Sequence, residues 1–136
     1  MTTTGKLLDK AKKMADAAAV KAIEINVPMV IAVCDNAGKP VLLNRMEDSL
    51  LASIDIATNK AYTSVALKMS TDAAADLCKE SGSLFGLATC DKGRMVVFGG
   101  GFPIKCDGQI IGGIGVSGGS VEEDMIVAQA GLAAIE

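Results

Sequence analysis

The chain contains no histidine and no tryptophan, and its aromatic residues are one tyrosine and three phenylalanines in 136 residues. Without imidazole, this sequence cannot build a Ser-His-Asp or Cys-His nucleophilic site, a histidine-ligated zinc or a proximal-histidine haem. Aromatics amount to 3% and the formal net charge is −3, so both the stacking platforms and the basic footprint that nucleic acid needs are missing. No nucleic-acid partner is expected. Apolar runs stop well short of the roughly 20 residues that span a bilayer. The opening MTTTGKLLDKAKKMADAAAV carries no h-region. The expectation is a cytoplasmic protein with no membrane partner. Cys34, Cys78, Cys90 and Cys106 are widely spaced with no C-x-x-C, which predicts reduced thiols serving as small hydrophobes and no metal site.

What the chain does have is apolar content, 50% of residues, spread over periodic segments that predict one domain covering residues 1–136. Leu7, Ala11, Met14, Ala18, Ala22 and Ile25 recur at helical spacing, with Lys10, Lys12, Lys13, Asp16 and Lys21 between them. They predict an amphipathic helix ended by Pro28. Met29 to Asp35 is nearly all apolar, as in a strand covered on both faces. Asp35 to Lys39, with Gly38 free to take a left-handed position, turns that strand into Val41 to Met46. Asp48 or Ser49 predicts the cap of a long helix striped by Leu50, Ile54, Ala57, Ala61 and Val65. Ser70 or Thr71 predicts the start of a shorter helix through Cys78, and Gly82 its end.

Beyond Gly82 the period falls from 3.6 to 2. Leu84 to Thr89, Arg94 to Phe98 and Gln109 to Val116 read as antiparallel strands, with Asp107-Gly108 as a two-residue hairpin turn. A closing helix runs from Val121 to about Ile135. The order αββααβββα predicts an α+β fold with α/β/α layers: a five-stranded antiparallel sheet carrying helices on both faces.

Gly113 to Gly118 spells GIGVSG, which has the G-x-G-x-x-G spacing of a dinucleotide loop. That loop needs a following helix and a second parallel strand bearing an acidic residue about 20 positions on. Only 18 residues remain after Gly118, and one helix uses them. Ser120 and Glu123 in SVEED read as a capping box that satisfies the free amides and sets carboxylates where a phosphate would sit. A nicotinamide cofactor is therefore not expected. In a strand of period 2, Gly113, Gly115 and Ser117 share a nearly bare face, suited to close approach by the alanine-rich last helix or by a planar ligand.

Several features combine into a resemblance: Val33-Cys34-Asp35 with Gly38, Arg45-Met46 followed by Asp48, Lys60-Ala61, Gly99-Gly100 with Pro103, Gly112 to Gly118, Asp124, Ala128 and Ala130-Gly131-Leu132. Over nearly its whole length the chain resembles the GlcG/HbpS-like proteins, which include the C-terminal domain of PduO-type corrinoid adenosyltransferases. The resemblance implies a profilin-like fold and homo-oligomers, octamers above all. It also implies a tetrapyrrole, haem or corrinoid, bound by an accessory protein of propanediol, glycerol or glycolate use. The ligand-binding set it points to is Arg45, Lys60, Gly99, Gly100, Pro103, Gly113, Gly115 and Ser117, with Arg45 or Lys60 pairing an anionic group. Val41, Leu43 and Arg45 alternate onto one face of the second strand, an inward pattern in which Arg45 would need a partner such as Asp48 or Asp124.

The departure from the family is the missing histidine. An axial ligand would have to come from Met14, Cys34, Met46, Tyr62 or Lys60, or be absent; core packing or a helix surface is the competing role for each. Two other readings stand beside tetrapyrrole binding. One is a scaffolding oligomer without a ligand, docked through its first helix into an assembly such as a bacterial microcompartment. The other is a small-molecule enzyme using Arg45 and Lys60.

Overall fold

The computed structural model describes residues 6–136; the first five residues of the segment read as lacking an h-region lie outside them. The elements in chain order are α1 (Lys6–Glu24), β1 (Val30–Asp35), β2 (Pro40–Arg45), α2 (Ser53–Leu67), α3 (Thr71–Cys78), β3 (Gly101–Cys106), β4 (Gln109–Ser117) and α4 (Val121–Ala133), with two short 3-10 turns between α3 and β3. The sheet is antiparallel throughout, in the order β2-β1-β4-β3. The two prolines within strands, Pro40 and Pro103, fall on the edge strands β2 and β3, where a missing N–H costs least.

The helices take opposite sides of the sheet. Ala11, Met14, Ala15, Ala18 and Ala22 of α1 join Val127 and Ala128 of α4 against Ile31, Val33, Ile104, Ile114 and Val116. The α1 stripe is therefore spent on the core rather than left for docking. α1 and α4 meet closely because both offer small residues: a Cβ on Gly131 would stand 3.1 Å from the Met14 carbonyl. α1 ends at Glu24, ahead of Pro28, in a turn where Asn26 takes φ 58° and releases the helix. On the other side of the sheet, Ile54 and Ala57 of α2 cover Val30 and Ala32.

The glycine-smoothed face of β4 receives α2, rather than the last helix or a ligand. A Cβ on Gly115 would lie 2.1 Å from the Ala57 carbonyl oxygen, and one on Gly113 would lie 2.5 Å from that of Ala61. Ser117 completes the seam by donating to the Ser53 hydroxyl at 3.0 Å. At Gly113 and Gly115 the helix backbone thus rests on the sheet with no side chain between them.

Turn chemistry follows the sequence closely. Asp35 Oδ1 accepts from the amides of Ala37 and Lys39, both at 2.9 Å, and Gly38 takes φ 77°. Asp107 and Gly108 turn β3 into β4 with φ of 52° and 78°. Ser70 caps α3, and Ser120 with Glu123 forms the capping box of α4.

The sheet has four strands, not five. Leu84 to Thr89 and Arg94 to Phe98, both read as strands, are turns and irregular chain, whereas Gly101–Cys106, ahead of the Asp107-Gly108 turn, pairs with β4. Three consecutive left-handed residues, Asp91, Lys92 and Gly93 (φ 53°, 58° and 79°), break any extended run there. The amide of Val96 is satisfied by the Thr63 hydroxyl of α2 instead of by a strand. α2 also begins later than its apolar stripe suggested: Asp48 takes φ 67° in a turn, and Leu50 and Leu51 stay exposed ahead of Ser53.

Gly115→Ala should separate α2 from the sheet, because the nearest obstacle is backbone that cannot rotate away. Urea unfolding should show a loss of about 3 kcal/mol or more. Gly108→Ala, with nothing within 4 Å but φ 78°, should cost only about 1 kcal/mol.

Candidate functional site

Lys60 lies in the middle of α2 and is fully buried, an unusual place for an ammonium group. Its Nζ donates to Asp124 Oδ2 and to the Val116 carbonyl, each at 2.8 Å, and lies 5.0 Å from the centre of the Phe98 ring. Asp124 belongs to the first turn of α4 but faces inward. Its second oxygen accepts the amide of Gly119 at 2.9 Å. Burial pushes Lys60 below the usual lysine range and Asp124 above the usual carboxylate range, while the pairing pulls each back toward its charged form. Gly100 makes room for the pair: its φ is 127°, and a Cβ there would stand 2.6 Å from Nζ. Gly99 gives way to Met125 and Val121 in the same manner.

The residues implied as ligand-binding are thus divided. Lys60, Gly100, Gly113, Gly115 and Ser117 serve the seating of α2 and the buried ion pair, and Gly99 the packing of α4. Pro103 stands in the middle of β3, in a groove with Lys105, Leu132 and Ile135. Arg45 is exposed at the end of β2, on the opposite edge of the sheet from β3. It does not reach Asp124, which is taken by Lys60, and among the described residues it makes no ion pair. Arg45 and Lys60 do not meet. With Lys60 sealed from solvent, the geometry offers no shared centre in which one could act as base and the other as electrophile.

The candidate axial ligands are also occupied. Met14 is a core residue with no exposure. The Met46 sulfur accepts the amide of Met29 at 3.4 Å. Burial pushes the Cys34 thiol up to about 11, so it carries its proton at neutral pH. The Tyr62 hydroxyl donates to Asp91, and that bond holds its own proton more tightly than usual. Arg94 stacks on the Tyr62 ring, 4.0 Å from its centre, and donates to Asp91 Oδ1 and Oδ2 at 3.0 and 2.9 Å. This surface cluster had no signal in the sequence, because Tyr62 and Asp91 are 29 positions apart.

A cleft lies between the β1–β2 hairpin and α2, lined by Ala32, Cys34, Gly38, Pro40, Leu42, Leu43, Thr58 and Ala61, with a volume of about 110 Å³. Its walls are almost wholly apolar and carry no charged side chain.

Two outcomes follow from this geometry. Lys60→Met should cost about 3–5 kcal/mol at pH 7, because it leaves Asp124 buried without its partner. The folded chain then holds the Asp124 proton more tightly than the unfolded chain, so the deficit should shrink as pH falls from 7 towards 5. Lys60→Met combined with Asp124→Leu should recover part of it in the same unfolding measurement. For Cys34, the unfolded thiol ionises near pH 8.5 and the folded one near 11, so stability should fall through that window by roughly 1.4 kcal/mol per pH unit. Cys34→Ala should flatten the alkaline loss.

The model of the family described as haem degrading protein HbpS-like matches residues 7–133. An uncharacterised 15.0 kDa protein from the dhaT-dhaS intergenic region of Citrobacter freundii is 46% identical over 92% of this chain and 88% of its own. The corrinoid adenosyltransferase PduO of Salmonella typhimurium is 43% identical over 88% of this chain, which corresponds to 35% of that longer protein. Among solved structures, a PduOC:heme complex superposes with a TM-score of 0.92 at 40% identity, covering 94% of this chain and 93% of the other. A family match over nearly the whole chain, carried on the same α+β fold, shows that the protein belongs to the HbpS-like family.

Proposed function

We propose that the protein is a tetrapyrrole-binding accessory protein, with haem as the first ring to test and a corrinoid as the alternative, working as a homo-oligomer. The observation that carries the reading is the likeness of fold and sequence to PduOC, which is known in complex with heme. The resemblance to PduO supports a place in small-molecule carbon use of the propanediol, glycerol or glycolate type, in the cytoplasm or within a bacterial microcompartment. It also supports the octamer and the profilin-like arrangement as the finer forms of assembly and fold.

The packing of the interior bears on the position of such a ring. One face of the sheet is filled by α1 and α4 and the other by α2, and the glycine strand has no gap left for a planar molecule. This packing supports a ring bound at the outside, where the described chain exposes Leu43, Leu50, Leu51 and Phe85. A flat ligand on an outer surface is buried only if a second wall closes over it, and another copy of the chain can supply that wall. With Met14, Cys34, Met46, Tyr62 and Lys60 all committed elsewhere, binding depends on apolar contact and carboxylate pairing, with axial positions open to solvent or small exogenous ligands.

Titration of haemin and of cobalamin into the purified chain, read by visible absorption with the mass followed by light scattering, tests this. Haemin should give a saturable shift with a Kd of about 1 µM or tighter, and the mass should be that of an oligomer. If neither ring binds saturably, the reading is wrong.

A further inference from the structure

The cleft between the hairpin and α2 has a second feature beside it. Thr58, its one hydroxyl, already donates to the Ile54 carbonyl at 2.8 Å, so the walls suit an uncharged apolar group. Leu43 stands at its mouth and is 43% exposed. Arg45 is two residues further along β2, so it faces the same side of the sheet roughly 7 Å from Leu43. On that edge strand it is exposed and, among the described residues, has no carboxylate within ion-pair distance. The chain's other arginine, Arg94, is held by Asp91 and Tyr62. An apolar slot with an unpaired guanidinium one side-chain step away complements a flat apolar body with a carboxylate on its rim, because the planar fork of arginine matches a carboxylate with two hydrogen bonds.

Size narrows the mode of binding. A dry cavity of roughly 150 Å³ holds benzene, so a cleft of about 110 Å³ admits a ring's edge substituents rather than a whole macrocycle. The remainder of the ring would lie outside, over Leu43. We propose that this cleft is the tetrapyrrole subsite, with an apolar rim substituent seated against Leu43 and Ala32 and a propionate paired with Arg45. The assignment rests on the tetrapyrrole reading above and names the surface that reading leaves open.

The test uses the full chain, with haemin and haemin dimethyl ester as probes and light scattering to follow the oligomer. Arg45→Gln should weaken haemin binding about tenfold or more, yet leave the ester bound as it is by the unaltered chain, because the ester has no carboxylate to lose. Leu43→Glu, at an exposed position that folding tolerates, should weaken both probes. If the unaltered chain binds haemin and both variants match it, the subsite is overturned while the tetrapyrrole reading stands. If Arg45→Gln weakens acid and ester equally, with or without a change of mass, the pairing is overturned. If the unaltered chain binds neither probe, both conclusions fall together.

Discussion

A single buried ammonium group holds the architecture to one arrangement. Lys60 leaves the helix on one face of the sheet, passes the start of β3 and meets Asp124 in the first turn of the helix on the other face, with the Val116 carbonyl as its second acceptor. Two charges without solvent are tolerable only if their remaining hydrogen-bonding capacity is met, and here the Gly119 amide and the Val116 carbonyl meet much of it. The requirement spreads to the neighbours: Gly100 and Gly101 must lack side chains to admit Lys60, and Gly115 must lack one to seat the helix that carries it. The glycines and the ion pair are therefore one feature seen from two sides.

A chain with so few aromatic residues builds its interior by bringing backbones together rather than by filling space with large side chains. Ala18 and the Met14 carbonyl of α1 face Gly131, and Ala57 and Ala61 rest on Gly115 and Gly113. Packing of this kind gains dispersion energy from many close contacts and leaves little internal volume. The clefts that remain lie at the edge strands and the loops. The glycine motif, which looks like a cofactor loop, is part of the scaffold.

Much of the fold was legible because its signals are local. The unbroken apolar run of β1, the Asp35–Lys39 turn with Gly38, the Asp107-Gly108 hairpin and the Ser120–Glu123 box each depend on residues within a few positions of one another. The failures share a cause as well. Alternation in Leu84–Thr89 and Arg94–Phe98 looks like strand, yet a strand needs a neighbour, and β4 pairs instead with Gly101–Cys106. Val41, Leu43 and Arg45 alternate in the sequence, but a bulge opposite Val33 and Cys34 sends Val41 to the core with Leu42 and leaves Leu43 and Arg45 exposed at the sheet edge.

The sequence by itself determined the class of fold, the order of its helices and of most of its strands, and the lack of any imidazole chemistry, since composition and short-range spacing govern these. Only the tertiary structure decided that the bare face of β4 belongs to α2, that Lys60 is consumed by Asp124, and that Arg45 is left unpaired beside an apolar cleft. Lys60 and Asp124 are 64 positions apart. No local pattern encodes such a partnership, because it exists only once the helices have taken opposite faces of the sheet and burial has made an unpaired charge too costly to leave alone.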